Sequence, residues 1–480
     1  MTQFILDRKF LFLLVPYLIL YIVAARNPLM WDTIQFASDQ PSWYYDHNFR
    51  YFLLPDYCDS GHPPTFALYL ASVWKVLGKS LWVCHTAMLP FVFMIVFQAV
   101  KLGDRIFPED KKKAFLCSLL LLSEAVLITQ TSLVSPDILV IAFFLYTLNA
   151  ILGRSALHTT IAATLLGLFS MRTMMVSMGL FLFALSYNWA QVSKDRKPLF
   201  RYLLQQVLPF VPGGLIAMAY FGYHYAVKGW IGLNPQGPWA GGYQHWAGVG
   251  GFLRNLVVLA WRLVDIGKIG MVLVFGIMLL SWAMGRIRFA TVTQKKMAQN
   301  LLVLFLALLA VLALPLCLYD SLLVHRYIMP FTISVSLLAI YLLLNSQVKA
   351  KNGIVIAVVL IQLSGHFWNY PRQYSQGWDG TLAHLPFFSL RAEFKQYMAD
   401  HDIPKSEVAT AFSLIKSDRI IDLKGDTTGY KDVYKDSTEY IWYSNVSNTM
   451  NKTVDYYFKN WQVIKYEKKG HVEMALFKRK

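Results

Sequence analysis

Charge is scarce in this 480-residue chain: 15% of its residues are Asp, Glu, Lys or Arg, against 56% that are hydrophobic. A soluble domain spends about a quarter of its residues on charge to keep its surface wet, so a soluble enzyme is excluded. Cysteine is scarcer still, with four residues. Cys84, Cys117 and Cys317 fall in apolar segments and Cys58 stands alone in a loop, which excludes a disulfide framework and a paired-cysteine metal site. No His/Asp/Glu spacing resembles a metal site either, so no cofactor is expected, with divalent metal dependence left open by His62 and the acids of the first loop. The Gly-rich stretch 237–251 lacks the strand, loop and helix of a nucleotide fingerprint. Internal repeats and low-complexity segments are also missing.

What is present is apolar sequence in long runs. Runs able to cross about 30 Å of hydrocarbon with some tilt occupy 9–26, 81–101, 114–132, 137–153, 157–171, 174–190, 202–226, 267–285, 300–319, 327–345 and 353–369. Arg8 and Lys9 precede the first run and no small-residue cleavage site follows it, so it reads as a retained span. The stretches 64–78 and 252–265 read as interfacial helices; counting the first as a crossing would reverse every later basic loop. The expected fold is therefore an all-α polytopic membrane domain over 1–370, with about 11 transmembrane helices. Residues 371–480 read as a small soluble α/β domain. Its expected elements are helices at 389–401 and 451–460, short strands at 407–414, 418–424 and 439–444, and a hairpin of 461–467 with 472–478 around Lys469–Gly470.

The net charge of +17 does not imply nucleic acid, because 28 Lys/Arg against 14 Asp/Glu lie in residues 1–370 and only 17 against 14 in the tail. Basic residues sort by loop. The N-terminus and the loops around 105–113, 154, 194–201, 286–296 and 349–351 hold 17 Lys/Arg, whereas the intervening loops, interfacial helices set aside, hold five. Basic loops stay in the cytoplasm, which places the N-terminus inside and the C-terminal domain outside the cytoplasm.

Ionisable residues at a membrane boundary are costly unless something uses them. On the outer side, Asp32 follows the first run directly, and Pro136–Asp137 open the fourth span at a helix N-terminus. These two are the candidate catalytic residues. Arg326 at the start of the tenth span, Arg172 in the turn of SMRTMM and His62 before Pro63–Pro64 are candidates for holding a phosphate. Glu124 inside the third span, with His325 and Tyr327 beside Arg326, are further candidates to line a cavity. The loop 27–63 is long, aromatic and acidic, and Asp39, Asp46, Asp56 and Asp59 read as solvated residues of it.

The order of these features resembles the GT-C superfamily of membrane glycosyltransferases, most closely the branch of protein O-mannosyltransferases and aminoarabinose lipid A transferases. Asp32 matches the first-loop acidic motif, with Thr33 where a second carboxylate is common. His62–Pro63–Pro64 followed by Leu77–Gly78 looks like the Lys/His-Pro-Pro stretch, Ser135–Pro136–Asp137 takes the second acidic position, and Arg326–Tyr327 with Pro330 resembles the late Arg-Tyr motif. The resemblance covers about three quarters of the chain. It implies an inverting hexosyl- or pentosyltransferase whose donor is a polyprenyl-phosphate sugar, whose acceptor is a glycan, lipid or protein, and whose site is a bacterial inner membrane, among membrane lipids and with no nucleic acid partner. Two alternatives stand beside it: a transporter or flippase for a lipid-linked saccharide, and an outer-leaflet polysaccharide polymerase or ligase.

Overall fold

The computed structural model describes residues 6–195, 199–235, 237, 245–320, 323–435 and 438–480, with only the backbone at 188–195. Each apolar run named above is largely helical, 114–132 as two helices. The first is α1 (Lys9–Ala24), after which a π-turn at Gln35–Asp39 leads into α2 (Gln40–Asp46). Then come α3 (Thr65–Leu77), α4 (Leu81–Ile106), α5 (Lys111–Leu122), α6 (Ala125–Thr131), α7 (Pro136–Leu152), α8 (Ala156–Gly167) and α9 (Met171–Asp195). Helices α10 (Leu199–Val207), α11 (Val211–Lys228), α12 (Gly248–Val264), α13 (Ile269–Ala283), α14 (Val292–Leu308), α15 (Met329–Asn345) and α16 (Lys351–Ser364) complete the apolar part. Much of the Gly-rich stretch 237–251 and part of the basic loop 194–201 lie outside the described residues.

Side-chain caps set several of these boundaries. Ser80 starts α4 by accepting the Val83 N–H at 3.3 Å, and the 26 residues that follow reach roughly 39 Å at 1.5 Å per residue. Among the described residues, four helical stretches are long and apolar enough to cross a membrane unbroken: Leu81–Ile106, Leu199–Lys228, Val292–Leu316 and His325–Asn345. Two more candidates are bent pairs. The run 114–132 is broken between α5 and α6 by 66°, because Glu124 caps α6 by accepting the Leu127 N–H at 2.6 Å and so ends the helix before it. Helices α12 and α13 meet at 104°, as expected if 252–265 lies across the direction of the next span.

Helix α15 is central. Met329 through Leu344 are all buried, so it is enclosed over its whole circumference. A helix packed on every side is a rigid mount, and the 3₁₀ turn His325–Ile328 sits at its N-terminal end.

The C-terminal part is a five-stranded sheet in the order β2-β1-β3-β5-β4, formed by β1 (Val408–Thr410), β2 (Lys431–Asp432), β3 (Tyr440–Ser444), β4 (Gln462–Lys469) and β5 (Val472–Lys478). Strand β1 runs parallel to β2 and β3, and β5 pairs antiparallel with β3 and β4. Helices α17 (Pro386–Asp400) and α19 (Asn451–Asn460) fall where the periodicity places them. The expected strand 418–424 is instead a helical turn, α18 (Asp418–Ile421). Its acids fix it: Arg391 donates to Asp418 at 3.0 Å and to Asp422 at 2.8 Å, while Lys395 and Lys405 also reach Asp418. Ion pairs hold as a turn a segment whose β-branched Ile420 and Ile421 suit a strand.

That turn joins the two parts. Ile421 and Leu423 belong to the hydrophobic core of the helical part, and Met30 and Leu133 to that of the sheet part. The Leu29 N–H donates to the Ile421 carbonyl at 3.0 Å, three residues before Asp32.

Candidate active site

Five sequence-singled residues meet at the N-terminal end of α15. Asp32 lies in a turn just beyond α1, where Trp31 takes a left-handed conformation (φ 53°). Thr33 closes that turn, its hydroxyl donating to the Met30 carbonyl at 2.7 Å and accepting the Met30 N–H at 2.9 Å. Position 33 therefore serves the backbone. Asp137 sits in the first turn of α7, where Ser135 caps the helix and accepts the Asp137 N–H at 3.2 Å. Arg172 is in the first turn of α9, fixed by Ser170 and Thr173 exchanging hydrogen bonds of 3.0 and 3.3 Å.

Arg326 is the hub. Its Nη2 donates to Asp32, its Nε lies 3.1 Å from Asp137 Oδ2, and its Nη1 pairs with Asp379. The other oxygen of Asp137 accepts from Arg172 Nη2 at 2.5 Å. One carboxylate thus clamps two guanidiniums, and the Tyr327 ring lies 4.1 Å from the Arg172 guanidinium carbon and 5.2 Å from that of Arg326. All five charged side chains are less than a quarter exposed. Three carboxylates against two guanidiniums leave a net charge of −1 among largely buried side chains, where unpaired charge is expensive.

Asp379 is the residue that sequence reasoning misses. It lies in a short 3₁₀ turn (Trp378–Gly380) between α16 and α17, and its carbonyl accepts from Gln130 Nε2 at 2.8 Å. Its available signal is weak: an acid between glycines soon after the last apolar run.

Three candidates are not brought to this cluster. The His325 ring turns to Asp265, with Nε2 to Oδ2 at 2.5 Å, and Arg262 approaches the same carboxylate at 3.2 Å. Glu124 belongs to a separate small cavity, which Lys268, Thr332, Ser336 and Gln362 also line, and stands 3.9 Å from Lys268 Nζ. His62 packs flat against Phe36, with ring centroids 6.4 Å apart, and its carbonyl accepts from the Tyr220 hydroxyl. Burial and the Arg172 charge push the His62 imidazole down to about 4, so it is neutral near pH 7 and offers a phosphate no positive charge. Among the described residues no group of three or more His, Cys, Asp or Glu could hold a metal ion.

The arrangement holds two guanidiniums and three carboxylates together where the apolar helices meet the sheet domain. No family model matches this sequence, and no curated protein matches it. Among solved structures the chain is similar to the crystal structure of ArnT from Cupriavidus metallidurans bound to undecaprenyl phosphate, at 10% identity and a TM-score of 0.53, over 97% of each chain. This likeness shows the fold: an arrangement of apolar helices with a small C-terminal sheet domain, shared with that structure.

Proposed function

We propose that the protein is an inverting glycosyltransferase that moves a sugar from a polyprenyl-phosphate carrier to an acceptor at the outer face of the membrane. The observation that carries this reading is the hub at Arg326, where an anion-binding guanidinium and a carboxylate base share one ion pair. The bound undecaprenyl phosphate in the ArnT structure supports a carrier of that class.

The chemistry follows from charge. The donor phosphate is a diester with one negative charge. An acceptor hydroxyl or amine attacks the anomeric carbon from the face opposite the phosphate, and the carbon–oxygen bond to phosphate breaks with its electron pair. Configuration inverts and the carrier leaves as a phosphate monoester carrying more negative charge. Arg326, with Arg172 beside it, neutralises that growing charge, and Asp137 fixes the spacing of both guanidiniums. Asp32 takes the proton from the acceptor. Its Oδ2 is engaged by Arg326, which orients the carboxylate so that its other oxygen takes the proton.

Purified protein given a polyprenyl-phosphate sugar and a mixture of envelope acceptors should release free polyprenyl phosphate and form a product of inverted anomeric configuration. A transporter would move the donor across vesicles unchanged, and that outcome would replace this reading. The proposed orientation has the N-terminus in the cytoplasm and the C-terminal domain outside, in a bacterial inner membrane. Single cysteines at the exposed positions 112 and 435, in a cysteine-free background, should label from opposite sides. Labelling of both by an impermeant reagent from outside contradicts the eleven-span arrangement.

A further inference from the structure

Residues Gly377–Gly380 cross the turn that carries Arg326 at very close range. A Cβ on Gly377 would fall 2.7 Å from the His325 ring, and one on Gly380 would fall 3.0 Å from Ile266 and 3.5 Å from His325 Nδ1. Glycine at both positions lets the backbone lie directly on the turn. The surface beneath is fixed, because His325 is held at 2.5 Å by Asp265, whose other oxygen accepts the Ile266 N–H at 2.6 Å. From the other side, Trp378 is buried in the core of the sheet domain and its indole N–H donates to the Asn445 carbonyl at 3.2 Å. The strap ties the soluble domain to the hub, and Asp379 is the side chain it delivers.

All three nitrogens of the Arg326 guanidinium face carboxylates: Asp137 at Nε, Asp32 at Nη2 and Asp379 at Nη1. Three of its five N–H groups are taken, and an anion on the two that remain, one on each Nη, would lie against all three carboxylates, so one carboxylate must leave before an anion docks. Asp137 is held again by Arg172 and by the Ser135 cap. Asp32 is the base and sits on the turn closed by Thr33. Among the described residues Arg326 is the one cation paired with Asp379, and the strap around it is a short linker.

We propose that Asp379 occupies the seat of the donor phosphate on Arg326, and that the strap lifts when the phosphate arrives, coupling donor entry to the C-terminal domain. This rests on the reading of Arg326 as the phosphate-binding residue. The charge count supports an exchange. With Asp379 in place, a phosphodiester would take the cluster from −1 to −2; replacing Asp379 with the phosphodiester keeps it at −1. After the sugar leaves, the monoester carries more charge than the seat balances, and Asp379 returns as the carrier departs.

The test is binding of undecaprenyl phosphate, the donor without its sugar, to full-length protein in lipid nanodiscs, read by native mass spectrometry. Asp379→Asn should bind on the order of tenfold more tightly than wild type, the scale of one partly buried ion pair removed from competition. Asp379→Glu should stay within about threefold of wild type because it keeps the charge, and Arg326→Ala should lose binding. A gain in affinity cannot come from a damaged fold. If Asp379→Asn is not monodisperse, Gly377→Ala, which pushes the strap off His325 and keeps the carboxylate, must produce the same tightening. Unchanged or weaker binding in these strap variants, with Arg326→Ala still inactive in binding, overturns the gate and leaves the donor reading standing. Wild-type affinity in Arg326→Ala, or no binding by any variant, removes the donor reading and the gate with it.

Discussion

Asp32→Asn is expected to lower the rate of sugar transfer by about 10²–10⁴ fold while the protein stays folded and still binds its donor. The change is nearly isosteric and removes the charge and basicity that accept the acceptor's proton. The substituted side chain can still face Arg326 through its amide oxygen, so the hub keeps a neutral partner in place of the ion pair. The loss should therefore appear in the single-turnover rate at saturating donor and far less in donor affinity. Asp137→Asn is the informative companion. Asp137 clamps Arg172 and Arg326 together, so its loss should weaken donor binding as well as rate. Near-normal turnover in Asp32→Asn would mean that the proton goes elsewhere.

Arg326→Ala is expected to cost both donor binding and turnover, with the rate falling on the order of 10²–10³ fold, the scale of one charge-stabilising donor lost from a transition state. The reason is that negative charge on the phosphate grows as the glycosidic bond breaks. The structure adds a second consequence. Without this guanidinium, Asp32, Asp137 and Asp379 face each other with Arg172 alone to offset them, leaving a net −2 among largely buried side chains. Breaking a buried pair costs roughly 3–5 kcal/mol, so a lowered thermal midpoint should accompany the loss of activity. Arg326→Lys should restore the charge and most of the stability but only part of the rate, because a point charge cannot engage three partners in one plane. Free replacement by lysine would instead mark Arg326 as a residue that reaches for lipid headgroups.

The parts of this site that are visible in the sequence share one property: a charge at the end of an apolar run. Asp32, Asp137, Arg172 and Arg326 each stand where the chain leaves hydrocarbon, and the cost of placing them there singles them out. Their meeting point is not visible, because positions 32, 137, 172 and 326 are joined only by the packing of helices around α15. Asp379 gives no such signal, since an acid in a polar linker costs nothing locally; its role arises from two glycines that let the strap lie on His325. Glu124 and His325 carry the right signal for a different reason. Each is satisfied by a local task, Glu124 by capping α6 and His325 by Asp265. The charges Asp265 and Lys268 at the α12–α13 bend are equally costly where they stand, yet the apolar runs on either side hide them. The segment 418–424 shows the limit of strand propensity as a guide. Its Ile420, Ile421 and Leu423 suit a strand, but the ion pairs of Arg391 with Asp418 and Asp422 hold it as a turn against Leu29.

The most direct test of the central claim is mass spectrometry of the polyprenyl-phosphate sugars and envelope glycans of cells that lack the protein, carry the wild type, or carry Asp32→Asn. One polyprenyl-phosphate sugar should accumulate, and one sugar should disappear from an envelope acceptor, both in the absence of the protein and with Asp32→Asn, while wild type reverses both changes. Identical donor pools and glycans in all three cells, or full restoration by Asp32→Asn, would contradict it.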